Sequence, residues 1–372
     1  MKILFIGGGT GGHFYPIIAV ARAIHKIAEE ERIVNTELYF AADKPLDKSL
    51  LESESIEFIT VPAGKIRRYI SPLHLIDAIK TLSGIIWALW RLYFLMPDVV
   101  FSKGGYSSFP VLVASRFLKI PVVIHESDVI PGMVNKWSGK WADRIAISFS
   151  DTVQYFPGKN VALTGNPIRS QVVGGNLSEA IQTFNLEEGL PTVLFLGGSQ
   201  GSEKVNETLM SIIKEMVENF QIIHQTGPKN FDDISGVAAV ILEKTKLKHR
   251  YHVYPFLDEG LLRSASRAAS VIVARSGSML FEIAAWGLPS ILIPLPGSAQ
   301  DHQRKNAYAY ARTGACMVIE ETNLTPHLLL EEIANIVNSP EKIKKMQMAA
   351  QTFSKLDAAE KIAREILNLG VH

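Results

Sequence analysis

The 372-residue chain has a single cysteine, Cys316. No disulfide can close within it, so packing must carry the fold, as suits a reducing cytosol. Charge bias is missing too. The 38 basic and 37 acidic residues leave a formal net charge of +1, so no global field points to nucleic acid. No apolar run reaches the about 20 residues that span a bilayer. The longest, Leu82 to Met96 (LSGIIWALWRLYFLM), is interrupted by Arg91, whose insertion at mid-bilayer would cost about 2.5–3.5 kcal/mol. Ile3 to Ile6 is too short for the apolar core of a signal peptide and meets Gly7 to Gly9 at once. A soluble chain with one unusually apolar helix is expected. Metal patterns are also lacking: no two aspartates stand two apart, and no His or Cys cluster has zinc spacing. No metal or other cofactor is therefore expected, and a diphosphate would have to be stabilised by loops and helix ends.

What remains is ordinary globular composition, 47% hydrophobic and 20% charged. Short apolar runs alternate with amphipathic stretches. Ile3 to Ile6, Leu38 to Ala41, Phe58 to Val61, Val99 to Phe101, Val122 to Ile124 and Arg144 to Ile147 read as buried strands. Ile17, Val20, Ala21, Ile24, Ile27 and Ala28 keep helical spacing. Continuous apolar strands separated by helices imply a parallel sheet covered on both faces. After GNPIRSQVVGGN (Gly165 to Asn176) the pattern restarts. A strand at Thr192 to Leu196 is followed by GGSQGS, a helix near Val205 to Met216, and strands near Ile222, Tyr251, Val271 and Ile291. Two doubly wound α/β domains follow. Phe353 to Leu369 reads as an apolar-faced terminal helix.

Gly7, Gly9 and Gly12 match G-x-G-x-x-G. Glycines between a strand and a helix let backbone N–H groups approach an anion. A dinucleotide fingerprint also needs an acid about 20 residues on. Asp43 lies 31 residues past Gly12, and Glu37 opens its strand instead of closing it. His13 abuts the loop at a helix start, where a neutral imidazole suits a general base or a cap. GGYSSFP (Gly104 to Pro110) and HESD (His125 to Asp128) follow strands, at the ends where doubly wound sheets bind ligands. His125 and Glu126 fit either an acid–base pair or a buried structural hydrogen bond. GGSQGS (Gly197 to Ser202) is a second anion loop without P-loop spacing. Arg169 is a cation able to reach a phosphate, and in RSGSMLFE (Arg275 to Glu282) Glu282 suits a bidentate hold on ribose hydroxyls. Gln303 and Asn306 follow a Pro-rich turn.

GGGTGGH, GGYSSFP, HESDVIPGMVNK, GNPIR, GGSQG, HQTG, RSGS…FEIAAWGLPSILIPLP and DHQRKNA occur in that order. Together they resemble the bacterial glycosyltransferase family that adds N-acetylglucosamine to lipid I to form lipid II for peptidoglycan (MurG-type). The resemblance spans nearly the whole chain. It implies a GT-B fold, α/β with two Rossmann-like domains facing across a cleft. Residues 1–166, completed by a terminal helix 353–370, would bind lipid I, and 167–352 would bind UDP-N-acetylglucosamine. Thr10, Gly11, Gly12 and His13 would line the acceptor side. There the first loop would cradle the lipid I diphosphate, and Gly104, Gly105, Tyr106 and Glu126 would help hold the acceptor. Asp128, Arg169, Ser199, Gln200, Leu257, Arg275, Ser276, Glu282 and Gln303 would contact the donor: Ser199 and Gln200 near the diphosphate, Arg169 offsetting phosphate charge, Leu257 at the uracil, Glu282 at the ribose and Gln303 at the sugar. Three positions depart from the family pattern. Ser127 and Asp128 replace a common Gln-Asn, the Arg275 to Glu282 segment is one residue shorter, and Ser276 stands where alanine is frequent.

The family reaction is an inverting, metal-independent transfer to the C4 hydroxyl of the N-acetylmuramyl group. His13 is the expected base, with Glu126 as the other candidate. Rival readings are a UDP-N-acetylglucosamine 2-epimerase, a nicotinamide dehydrogenase, and a glycosyltransferase with another lipid acceptor. Lys65, Arg67 and Arg68 precede the apolar helix, which contains Trp87, Trp90 and Tyr93. Basic residues with interfacial aromatics suit docking on an anionic inner leaflet without spanning it. A peripheral position on the cytoplasmic side of the cell membrane is therefore expected. Cell-wall synthesis and division proteins are the protein partners to expect.

Overall fold

The computed structural model describes residues 1–32, 35–64, 73–198 and 201–370. The chain folds into two units. One comprises Met1–Ile168 with Lys355–His372, the other Arg169–Ser354.

The first unit contains, in chain order, β1 (Lys2–Ile6), α1 (Gly11–Glu30), β2 (Glu37–Ala42), α2 (Lys48–Ser53), β3 (Ile56–Thr60), α3 (Leu73–Leu95), β4 (Val99–Ser102), α4 (Phe109–Phe117), β5 (Val122–Glu126), α5 (Met133–Ser138), β6 (Arg144–Ile147) and β7 (Val161–Leu163). The strands form one parallel sheet in the order β3-β2-β1-β4-β5-β6-β7. Alternate residues of β1 feed two helical layers, as the strand period requires. Ile3 and Phe5 pack with Phe14, Ile17 and Ile24 of α1, while Leu4 and Ile6 pack with Ala88, Leu92, Val111 and Leu112 of α3 and α4. A sheet so covered must be apolar on both faces, which is why its strands read as continuous hydrophobic runs.

The second unit holds α6 (Leu177–Phe184), β8 (Thr192–Leu196), α7 (Glu203–Asn219), β9 (Gln221–Gln225), α8 (Phe231–Leu242), β10 (Tyr251–Tyr254), α9 (Glu259–Ala268), β11 (Ala269–Ala274), α10 (Met279–Trp286), β12 (Ser290–Leu292), α11 (His302–Ala311), β13 (Cys316–Val318), α12 (Pro326–Val337) and α13 (Pro340–Phe353). Its parallel sheet runs β10-β9-β8-β11-β12-β13. The final helix, α14 (Ala358–Gly370), belongs to the first unit. There Ile362, Ala363, Ile366 and Leu367 join the core under α1, and Arg364 bonds Glu31 at 2.6 Å.

One expectation needs correction, and two strands are added to those expected. The terminal helix starts at Ala358, not Phe353. Ser354 turns extended (φ −63°, ψ 140°), so Phe353 ends α13 and packs its ring on Phe281 and Tyr310, while Leu356 is 64% exposed. The strands β7 and β13 were not expected. Each is three residues long, too short to carry a period, and only pairing with a neighbour defines it.

The apolar run falls on α3. Its buried stripe is narrow: Gly84, Ala88 and Leu92, four residues apart. Added bulk at Gly84 would strike the carbonyl of Pro62, so the helix lies hard against the chain after β3. The remaining faces expose Leu75, Ile76, Ile79, Leu82, Ile86, Trp87, Trp90, Tyr93 and Phe94. Between Leu75 and Leu95 the helix is long and apolar enough to cross a membrane by length and composition, with only 17% of its most apolar window buried. Trp87, Trp90 and Phe94 form a ring ladder with centroids 5.3 Å apart at each step, and the Trp87 indole donates to Thr60 O at 3.0 Å. The expected basic partners Arg67 and Arg68 lie outside the described residues.

Candidate active site

In each sheet the strand order reverses at one place: between β1 and β4 in the first unit, and between β8 and β11 in the second. Open α/β sheets bind ligands beyond the carboxyl ends of the strands at such a point. The glycine loops at Gly7 and Gly197, GGYSSFP and RSGS leave those four strands, while HESD leaves β5.

In the first unit the loop Gly7 to Thr10 leaves β1, and Lys103 to Gly105 leaves β4. The Ser107 hydroxyl donates to Gly7 O at 2.6 Å and Lys103 N donates to Ile6 O at 2.9 Å, so the two loops are stitched together. His13 sits in the first turn of α1, its N–H bonded to Thr10 O at 3.0 Å. Its ring lies on glycines: a Cβ at Gly8 would strike Nδ1, and one at Gly105 would come 2.9 Å from Gly8 Cα and 3.3 Å from His13 Cε1. Gly105 has φ +87°, a region L side chains rarely adopt. The helix start itself has no side-chain cap, and no acid lies in its first turn. Thr10, Gly11, Gly12, His13, Gly104, Gly105 and Tyr106 are thus gathered at one edge. Tyr106 is only partly covered, and its hydroxyl is pushed upward, first by burial and then by Asp43.

Behind this edge lies a buried ionisable cluster that spacing alone did not indicate. Lys103 is 2% exposed. Its Nζ donates to His125 Nδ1 at 2.7 Å and to Asn166 Oδ1 at 3.1 Å. Nδ1 is therefore the acceptor, and the opposite Nε2–H donates to Gly165 O at 2.9 Å. Burial, with Lys103 alongside, holds His125 well below the usual histidine range. Burial lowers the Lys103 amine as well, opposed by Glu126 and Asp128. Glu126 accepts from Asp128 N at 2.9 Å, Gly132 N at 3.0 Å and Asn135 Nδ2 at 2.9 Å. Burial and then the Asp128 charge raise its carboxyl above the usual range, while the Asp128 N–H, Asn135 and Lys103 pull the other way. Of the two readings of His125 and Glu126, the geometry is that of a buried structural network. Neither bonds the other's side chain among the described hydrogen bonds. Lys103 was missed because a lysine after an apolar strand looks like any surface cation until burial is known.

In the second unit the loops after β8 and β11 carry Ser199, Gln200, Arg275 and Ser276, while Leu257 follows β10, Glu282 lies on α10 and Gln303 on α11. Ser199 and Gln200 lie outside the described residues. Ser202 caps α7 by accepting from Val205 N at 3.5 Å, and Glu203 follows in the first turn. Ser276 is buried and donates to Gln303 O at 2.7 Å. Gln303 Oε1 accepts from Leu295 N at 2.9 Å. Arg275 bonds Ile293 O at 3.1 Å and pairs with Glu321. Leu257 is buried, its N–H bonded to Gln225.

Arg169 and Glu282 correct a further expectation. Arg169 does not stand apart as a cation aimed at a phosphate. Its Nε and NH2 donate to Glu282 Oε1 at 3.0 and 2.9 Å, and NH2 reaches Oε2 at 3.2 Å. Glu259 lies 3.6 Å from NH1. Both partners are buried, and a buried charge needs such a mate. The pairing also limits Glu282: with Oε1 engaged twice, Oε2 is the better placed acceptor for a further hydroxyl.

The glycosyltransferase family 28 N-terminal domain matches residues 3–147, and the glycosyltransferase family 28 C-terminal domain matches residues 192–362. Two parallel α/β sheets of this kind place the chain among GT-B-like glycosyltransferases, with the solved MurG of Acinetobacter baumannii a structural neighbour at TM-score 0.74 and 22% identity, covering 99% of both chains. A UDP-GlcNAc 2-epimerase from Neisseria meningitidis, solved bound to UDP-GlcNAc, shares the fold at TM-score 0.70 and 15% identity, covering 99% of this chain and all of that one (100%). Sequence separates these neighbours. A UDP-N-acetylglucosamine–N-acetylmuramyl-(pentapeptide) pyrophosphoryl-undecaprenol N-acetylglucosamine transferase from Caldanaerobacter subterraneus subsp. tengcongensis is 35% identical over 97% of this chain and 98% of its own. One from Listeria monocytogenes is 34% identical over 99% of each. The chain belongs to this family of N-acetylglucosamine transferases.

Proposed function

We propose that the protein transfers N-acetylglucosamine from UDP-N-acetylglucosamine to the C4 hydroxyl of the N-acetylmuramyl group of lipid I, giving lipid II and UDP. The observation that carries this is full-length identity near 35% to transferases named for that reaction, on a chain whose two sheets each present a loop-lined switch point.

In the first unit, the loop Gly7 to Gly12 with the start of α1 receives the acceptor diphosphate, since backbone N–H groups and the helix dipole favour an anion there. Gly104, Gly105 and Tyr106 line the acceptor beside it. His13 takes the proton of the C4 hydroxyl as that oxygen attacks the anomeric carbon. The new C–O bond forms with inversion as the bond from the anomeric carbon to the β-phosphate oxygen breaks, and UDP departs with the electron pair. His13 is preferred over Glu126 because Glu126 is buried and already holds three N–H donors. In the second unit, Leu257, Arg275, Ser276, Gln303 and the loop of Ser199 and Gln200 receive the donor. Glu282 meets the ribose through its less engaged oxygen, and Arg169 acts on the donor through Glu282. Asp128, carried on the Glu126 loop, is assigned to the donor. No step calls for a metal.

The exposed apolar faces of α3 dock on an anionic inner leaflet, with Arg67, Arg68, Trp87 and Trp90 at the contact. This places the protein peripherally on the cytoplasmic side of the cell membrane, where a lipid-linked acceptor resides and where cell-wall synthesis and division proteins are the partners to seek. The test is incubation with radiolabelled UDP-N-acetylglucosamine and lipid I without divalent metal. Labelled lipid II supports the proposal. Sugar epimerisation without lipid, or turnover only with diacylglycerol as acceptor, overturns it.

A further inference from the structure

We infer that Gln225 is a positioning residue for the donor: its carboxamide clamps the glycine loop after β8 to Leu257 and so sets the spacing between the diphosphate side and the base side of the site. The inference rests on the donor assignment of the second unit proposed above.

Gln225 ends β9, the strand next to β8. It is 3% exposed. Its backbone carbonyl accepts from Gly197 N at 3.3 Å. Its side chain then bonds both ways. Nε2 donates to Gly198 O at 3.1 Å, and Oε1 accepts from Leu257 N at 3.0 Å. Gly198 has φ +81°, so its carbonyl points where glycine alone readily lets it, and the amide of Gln225 is what meets it. On the other side Leu257 directly precedes Asp258, which caps α9 by accepting from Leu261 N at 2.9 Å. A planar amide bonded to both segments fixes one against the other.

The surroundings stiffen the clamp. His224 is buried and neutral, pushed down to about 3 by burial, and bonds Tyr251 Oη at 2.9 Å and Asn206 Oδ1 at 3.0 Å. Asn206 and Asn230 both donate to Thr226 O at 3.1 Å. A bulkier residue at Gly201 would strike that same carbonyl. The polar side chains of His224, Gln225 and Thr226 are therefore turned into the protein framework, and their service to a ligand is indirect. A nucleoside diphosphate spans base and phosphates together, so a site held at that span before binding avoids the ordering cost.

The experiment uses the full-length protein and two variants. Gln225→Met keeps the length and removes both bonds. Gln225→Asn keeps the amide but, one methylene shorter, reaches at most one partner. Calorimetric titration with uridine and with UDP is paired with amide hydrogen exchange. The gain in affinity from uridine to UDP should shrink about tenfold in Gln225→Met. Donor KM should rise with acceptor KM unchanged, and exchange at Gly198 and Leu257 should quicken together while the rest of the sheet keeps its rate. If Gln225→Met does not fold, Gln225→Asn must show the same loss of the diphosphate gain. An undiminished gain in the folded variants, or exchange that quickens evenly through the unit, overturns the clamp alone. A wild-type protein that does not bind UDP overturns the donor assignment, and the clamp with it.

Discussion

The two units share a topology and put different chemistry at the same place in it. Behind the switch point of the first lie ionisable side chains, Lys103, His125 and Glu126, all buried. Behind that of the second lie amides and hydroxyls, Gln225, Thr226, Ser276 and Asn306, with a buried charge pair, Arg169 and Glu282. The helix starts differ too. The first, α1, has no side-chain cap and no acid in its first turn, whereas α7 is capped by Ser202 and carries Glu203. An uncapped start favours an anion, and an acid in the first turn opposes one. Doubly wound topology thus decides where a ligand can sit. The side chains behind the loops set the charge and polarity of each place, ionisable in the first unit and largely amide and hydroxyl in the second.

The sharpest break in this contrast should come from the buried Arg169–Glu282 pair of the second site. Glu282→Ala removes the two-oxygen partner of the buried Arg169 and leaves the Glu259 carboxylate 3.6 Å away. Loss of a buried partner costs about 3 kcal/mol, read as a lower denaturation midpoint, and UDP affinity should fall as well. Unchanged stability would mean the pair is not buried in solution. In the first site, His13→Ala should lower kcat at least about a hundredfold while UDP binding stays put. Turnover near wild type would remove His13 as base. The proposed membrane docking falls on α3 of the first unit. Arg67→Glu with Trp90→Ser should abolish co-sedimentation with anionic vesicles, about 1 kcal/mol being expected per basic residue near the surface. Retention that ignores both lipid charge and these changes would refute docking by α3.

The smallest effect concerns pH. His224 is lowered from 6.5 to about 3 by burial. The unfolded chain therefore binds the extra proton between those values, and this residue's contribution to stability falls as pH drops through that window, by at most about 1.4 kcal/mol per pH unit. Glu126 is raised, so its folded form holds the extra proton and its contribution is lost as pH rises past the ordinary carboxyl range. Glu126 and His224 should therefore contribute to the pH dependence with opposite sign, and the buried His125 of the first unit with the same sign as His224. His224→Asn should flatten the acid-side slope of unfolding free energy, and an unchanged slope would reject that assignment.

Much of this was legible in the chain. Buried parallel strands are continuous apolar runs, and glycine loops mark their carboxyl ends, so the α/β class, the two-fold repeat and the gathering of His13 with Gly104 to Tyr106 follow from local pattern. G-x-G-x-x-G alone misleads, because the same glycines serve any anion, and what they hold is set by what stands behind them. The two short edge strands and the true start of α14 were not legible, since three residues carry no period and the break at Ser354 depends on Phe353 turning into the second unit's core.

The sequence by itself therefore determined the fold class, the family and the places where loops leave the strands, because these rest on periodicity and on residue order. Only the tertiary structure decided the partners. It buried Lys103 against His125, closed Arg169 onto Glu282 and turned Gln225 toward both Gly198 and Leu257. Those residues are 22, 113, 27 and 32 positions apart, and no local rule relates them. The cost of burying an amine, a carboxylate or an amide exists only once the core has closed around it.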